Sequence, residues 1–196
     1  VANRAEFVAV LRAIEGAHSI AVDSQPVWTM PGHLAQAGNL TSFLSHKIEN
    51  ARASVTCSTL NFQKTSQMWP ALRTAAARPE VQVRVYMDTA AAGPEGASWT
   101  PSCEDVATQL APGVVLQTKE FSGKLVRNHG KFVAIDHRFL LVTSANFSVS
   151  AEQHNVELGI WIDDQPLTES VERQMLDAED SIYEIVTPPT PTAAQG

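Results

Sequence analysis

Residues 131–146 constrain the fold of this chain more than any other stretch. Two apolar runs, KFVAID and RFLLVTSA, have little more than Asp136 and His137 between them, the layout of a β-hairpin in a well-covered sheet. Other segments supply neighbours for that hairpin. VQVRVYMD alternates Val81, Val83, Val85 and Met87 with Gln82, Arg84 and Tyr86, a period of two that marks a strand. ASVTCSTLNF, rich in β-branched residues, reads as a strand, as do residues 114–118 and NVELGIWI.

Helical spacing separates these strands. RAEFVAVLRAIE places Phe7, Val8, Leu11 and Ile14 on one face, and Gly16 can stop that helix. A second helix starts near Thr41, which can cap it, with Phe43, Leu44 and Ile48 as its buried stripe. Residues 65–77, 102–110 and 167–185 complete the helices, the last with Val171, Met175, Ile182 and Ile185 as its apolar contacts. The order is α/β, which predicts one mixed sheet with helices packed on both faces. We divide the chain into a lead-in at 1–38, with SIAV and PVWT as short extended pieces and PGHLAQAG as a loop, a main domain at 39–186 and a disordered tail at 187–196. AAAGPEGASWTPSC is a further loop.

Composition excludes several classes. At 196 residues the chain suits one ordinary domain, and no apolar run is long enough to cross a bilayer. Residues 1–20 lack the basic start and apolar middle of a signal peptide, so a soluble cytoplasmic protein is expected. Cys57 and Cys103 stand far apart with no CxxC around them, which fits two unpaired thiols and neither a disulfide scaffold nor a zinc site. The sequons at Asn39 and Asn146 are read as coincidence. The formal charge of −7 argues against coating nucleic acid through diffuse electrostatics. Residues 117–138 run against that trend, with Lys119, Lys124, Arg127, Lys131 and Arg138 against only Glu120 and Asp136, a basic focus sized for one phosphate.

Inside that window lies the chemistry. On a strand, His129 and Lys131 project from the same face, which holds an imidazole beside an ammonium. The pair suits phosphate chemistry, since an imidazole attacks phosphorus or shuttles a proton while the ammonium neutralises charge on the non-bridging oxygens. Ser144 and Asn146, again two apart, offer a hydroxyl and an amide as further donors. Glu157 on the next strand is a carboxylate able to hold one imidazole nitrogen. No Walker loop, GxSxG or GxGxxG occurs. His18, His33, His46 and His137 lack suitably spaced partners. His154 with Glu157 has a metal-like spacing only if helical, and the surrounding residues read as strand. Trp28, Trp69, Trp99 and Trp161 are read as core or rim packing.

His129, Lys131 and Asp136 stand as H-x-K-x4-D, followed by Thr143-Ser144-Ala145-Asn146 where a known pattern has Gly-(Gly/Ser)-x-Asn, and then by Glu157 in NVELG. This resembles the phospholipase D superfamily, and FLSHKIENARASVTCSTLNF is similar to the opening helix and strand of one of its repeats, so the likeness covers roughly residues 39–185. The resemblance implies a phospholipase D-like single repeat and a phosphodiesterase that needs no metal and no cofactor. It implies that His129 is nucleophile or general acid, that Lys131, Ser144 and Asn146 bind the phosphate, and that Glu157 orients the imidazole. Asp136 completes the catalytic motif, and its place at the turn end of a strand points to hydrogen bonding and local structure. Thr143 departs from the motif glycine and could crowd the phosphate.

Family members use two such motifs and this chain has one, so the resemblance implies that the second comes from a second copy across a twofold axis or from another part of a longer polypeptide; a homodimer that completes the site is the reading taken. The motif fixes a reaction type and leaves the substrate open; a one-motif chain without a membrane anchor or amphipathic basic helix is similar rather to a nuclease of DNA or RNA. A phospholipid phosphodiesterase and a weakly catalytic nucleic-acid-binding scaffold subunit are the alternatives. Residues 4–15 and PVWT are also similar to the phospholipase D-like subunit of the bacterial DISARM anti-phage system, which implies host defence with partner proteins; with no anchor or amphipathic basic helix in the sequence, no membrane partner is expected.

Overall fold

The computed structural model describes residues 3–18, 22–31, 34, 39–94 and 100–188. The tail at 189–196, most of the PGHLAQAG loop with His33, and the loop residues 95–99 with Trp99 lie outside the described residues, as do the side chains of Ile14 and His18.

One eight-stranded sheet dominates. Its order is β1 (Asp23–Thr29), β9 (Glu157–Asp163), β8 (Phe139–Thr143), β7 (Phe132–Ile135), β2 (Ser54–Thr59), β3 (Gln82–Met87), β4 (Val114–Thr118) and β10 (Tyr183–Ile185). The three central strands β2, β3 and β4 run parallel, and every other pairing is antiparallel. A separate small hairpin, β5 (Glu120–Phe121) with β6 (Lys124–Leu125), leaves the end of β4. The β7–β8 hairpin forms as expected, and its turn places both Asp136 and His137 at φ 56°.

Helices cover both faces. α2 (Leu40–Glu49), α3 (Met68–Ala76) and α4 (Cys103–Leu110) pack Leu44, Ile48, Leu72, Ala75, Val106 and Leu110 against Val55, Cys57, Val85, Val133 and Leu141. On the opposite face α5 (Gln165–Ile182) sets Val171 and Met175 against Phe132, Ala134 and Leu140. Burying apolar side chains on both sides of β7 is what lets that strand run without polar alternation, whereas β2 alternates Val55 and Cys57 with the buried hydroxyls of Ser54, Thr56 and Ser58. Both thiols are free and buried. Burial pushes the Cys103 thiol up to about 12.

The structure departs from the sequence reading in several places. Asn39, and not Thr41, caps α2, its Oδ1 accepting from the Ser42 N–H at 3.2 Å, because Thr41 is already inside the first turn and buried. Tyr86 sits on the polar side of the β3 alternation yet is fully buried, because α5 covers that side and Glu179 accepts its hydroxyl at 2.6 Å. The terminal helix stops at Ile182, and the next three residues pair with β4, with the Tyr183 ring 5.0 Å from that of Tyr86. Residues 23–29, placed in the lead-in by sequence, form the outer strand of the sheet through their pairing with β9. α1 (Arg4–His18) forms as predicted, but Phe7, Val8 and Leu11 on its apolar face are exposed.

Candidate active site

Strand direction gathers the chemistry at one end of the sheet. β2 and β3 are parallel and end there at Thr59 and Met87, β7 runs against β2 and so begins there after His129 and Lys131, β8 ends there at Thr143, and β9 begins there at Glu157. This is the carboxyl end of the parallel strands, where open α/β sheets place their ligands.

A buried polar cluster fixes the backbone around His129. Asp88, fully buried at the end of β3, accepts from the Asn128 N–H at 2.6 Å, the Arg127 Nε at 3.0 Å and the Ala91 N–H at 2.9 Å. Burial alone would raise the Asp88 carboxyl, but the Arg127 and backbone hydrogen bonds outweigh it and hold the group below its ordinary value. The Asn128 Nδ2 donates to Ser58 Oγ at 3.0 Å and to the Tyr86 carbonyl at 3.2 Å, and Ser58 Oγ donates to the Gly130 carbonyl at 2.8 Å. Both neighbours of His129 are thereby clamped to β2 and β3. Sequence reasoning missed Ser58, Asp88 and Asn128. Their signal was faint: a carboxylate closing an alternating strand, and an amide directly before the motif histidine.

The predicted residues fall into two groups. His129 is exposed, and its imidazole has no hydrogen-bond partner among the described residues, while the Lys131 Nζ donates to the His129 carbonyl at 3.2 Å. Ser144 Oγ donates to Glu157 Oε2 at 2.5 Å and accepts from the Leu158 N–H at 3.2 Å. Asn155 Nδ2 occupies the other oxygen of Glu157 at 2.9 Å. Within one chain Glu157 therefore holds the serine and not the imidazole. Asn146 has its Oδ1 buried and unpartnered among the described residues, which leaves Nδ2 as the accessible end of the amide.

Two members of the motif do local work. Asp136 lies at the far end of β7 from His129, and its Oδ1 accepts from the N–H groups of Arg52, Ala53 and Ser54 at 2.8, 2.7 and 3.2 Å. Thr143 turns its hydroxyl to the backbone, donating to the Leu158 carbonyl at 3.3 Å and accepting from the Ala145 N–H at 3.0 Å. Gly159 in NVELG is there for space: a Cβ would lie 2.8 Å from Leu141 Cδ1 and 3.0 Å from Leu40 Cδ1. His137, read as partnerless, meets Glu172 of α5 at 2.7 Å. His154 stands in a π-helical turn, Ser150–His154, and not in a strand. Among the described residues no cluster of His, Cys, Asp and Glu is suited to a metal ion, and no helix is long and apolar enough to cross a membrane.

The domain model for cardiolipin synthase, PLD-like domain, matches residues 44–178, a span that contains every residue of the site. The chain belongs to the phospholipase D-like family. Solved structures carry the same fold. Nuc, a phospholipase D family member from Salmonella typhimurium, is 18% identical with a TM-score of 0.64 over 82% of this chain and 96% of that one. NucT from Helicobacter pylori is 19% identical with a TM-score of 0.65, over 82% and 98%. The phosphatidylserine synthase of Haemophilus influenzae Rd KW20 is 16% identical with a TM-score of 0.63, over 95% of this chain but 48% of that one. No curated protein sequence matches the chain. This phospholipase D-like chain thus spans nearly all of the two Nuc-type folds and about half of the synthase.

Proposed function

We propose that the chain is a metal-independent phosphodiesterase that cleaves DNA or RNA through a phosphohistidine intermediate. The observation that carries this reading is an exposed His129 imidazole on a backbone clamped at both neighbours, in a chain of the phospholipase D-like family. One imidazole nitrogen attacks phosphorus while the bond to the leaving oxygen breaks, and that oxygen takes a proton from His129 of a second copy. The same second histidine then takes a proton from water, whose oxygen displaces the first imidazole from phosphorus. Lys131, Ser144 and the Asn146 amide offset the charge on the non-bridging oxygens.

A second copy is part of the proposal because two histidines are needed and the chain supplies one. An exposed apolar row, Val142, Leu158, Ile160 and Trp28, on adjacent strands and beside Ser144, supports it. The likeness to the synthase, at a TM-score close to that of Nuc, keeps a phospholipid phosphodiester as the second substrate reading. A role in anti-phage defence rests on residues 4–15 and 26–29 alone.

The test incubates purified protein with plasmid, single-stranded DNA, RNA and phospholipid vesicles in excess EDTA, with His129→Ala as control. Cleavage of a nucleic acid by wild type and not by the variant is the expected result. Cleavage of the vesicles alone moves the substrate to lipid. Cleavage abolished by EDTA overturns the metal-free mechanism, and none of any substrate overturns the enzyme reading in favour of a scaffold.

A further inference from the structure

Immediately ahead of the motif, the β5–β6 hairpin stands off the sheet at the same end as His129. Ser122 at φ 53° and Gly123 at φ 75° make its tight turn, and the Val126 N–H to Lys119 carbonyl bond at 3.2 Å extends its ladder. The base is anchored. The Lys119 N–H donates to the Ile182 carbonyl at 3.0 Å and its Nζ to the Asp180 carbonyl at 2.8 Å. The tip is not: Phe121 is 54% exposed, and Lys124 opposite it in the register is exposed and without a partner among the described residues. Where the hairpin returns to the motif, the buried Asp88 holds Arg127 by Nε alone. The Arg127 side chain is 49% exposed, with both Nη groups unpaired among the described residues.

An aromatic ring beside a cation, followed by a pre-oriented guanidinium and then the motif, is the combination that holds a single strand: bases stack on the ring and phosphates meet the cations. A duplex hides its base faces from such a ring. The formal charge of −7 makes the local contacts decisive, because the body of the protein repels phosphate. We propose that the hairpin at 119–126 is a strand guide, in which Phe121 stacks a base of a single-stranded substrate while Lys124 and Arg127 hold flanking phosphates and deliver the next phosphodiester to His129. This rests on the nuclease reading and adds a strand preference to it.

The test measures fluorescence anisotropy of labelled oligothymidylate, oligouridylate and a duplex of equal length with the full chain, all in the non-cleaving His129→Ala background. That protein is expected to bind a single strand more tightly than the duplex. Adding Phe121→Ala lowers single-strand affinity by about ten-fold or more, and Phe121→Trp restores it while Phe121→Leu does not. Lys124→Ser and Arg127→Gln each weaken binding and reduce the salt slope by about one. The strand guide is overturned if Phe121→Ala leaves affinity unchanged, if Leu restores it as well as Trp, or if the duplex binds as tightly. It is equally overturned if light scattering shows that Phe121→Ala changes the oligomeric state, which would make the hairpin a subunit contact. Binding of no nucleic acid at all by the His129→Ala protein overturns the nuclease reading together with the guide, whereas wild-type cleavage with an indifferent Phe121 overturns the guide alone.

Discussion

At the scale of single residues, the Asp136 carboxylate shows how a motif position can serve the fold. One oxygen accepts three N–H bonds from 52–54, the residues that lead from α2 into β2, and the residue itself sits at φ 56°. Asp tolerates that left-handed backbone better than most side chains. Asp136→Ala leaves three donors short of their acceptor and strains the turn, and we expect it to cost about 2–4 kcal/mol. Asp136→Asn keeps the accepting oxygen and costs less. Because the residue is a strand's length from His129, cleavage measured well below the melting temperature should stay within a few-fold of wild type in both variants. A large loss of turnover by folded Asp136→Asn would return the residue to the chemistry.

At the scale of elements, the π-helical turn at Ser150–His154 carries Glu152 into the start of α3, where it accepts from Ser66 Oγ and, at 3.1 Å, from the Gln67 N–H. Burial raises the Glu152 carboxyl above its ordinary value, more than those hydrogen bonds lower it. A group raised in this way binds its proton more tightly when folded, so the stability it contributes is fully present below the ordinary carboxyl pKa, is lost as the pH rises from there through the folded pKa, and does not change further above it. Glu152→Gln removes that dependence. Thermal melts of variant and wild type should diverge in the variant's favour as the pH rises above the ordinary carboxyl value of about 4.3. Parallel melting curves across that range would show that the charge is fully compensated. Elements of this kind were the least legible in the sequence. The β7–β8 hairpin, the β3 alternation and the residues from His129 to Glu157 could be read because their signals are local: a two-residue turn, a period of two, a fixed spacing. β1 begins Asp-Ser-Gln and contains Pro26, so it carries no apolar alternation and becomes a strand only through β9. β10 follows a helix without a break and is decided by β4. The cluster of Ser58, Asp88 and Asn128 joins three distant parts of the chain, and no short-range pattern announces it.

At the scale of the whole molecule, the eight-stranded sheet is wider than α5 can cover. The helix shields Phe132, Ala134, Leu140 and Ile162, and beyond them Val142, Leu158, Ile160 and Trp28 remain exposed on the same face. Adding a strand at the free edge is disfavoured, because Pro26 in the outer strand β1 has no N–H to give. A second copy meeting this face, beside Ser144, would bring the two motifs together, and the consequence is quantitative. If each site needs a histidine from both copies, a mixed dimer of wild type and His129→Ala is dead. Random pairing at equal amounts leaves about a quarter of the dimers intact, so co-refolded mixtures should lose activity with the square of the wild-type fraction. A linear loss would mean that each chain cleaves alone. Ile160→Glu places a charge in the apolar row, and at a position 38% exposed on an inner strand it should cost the folded chain about 1–2 kcal/mol. Light scattering should then find a folded monomer that no longer cleaves. A monomer that retains full activity would remove the second copy from the mechanism, and an intact dimer would move the contact to another face.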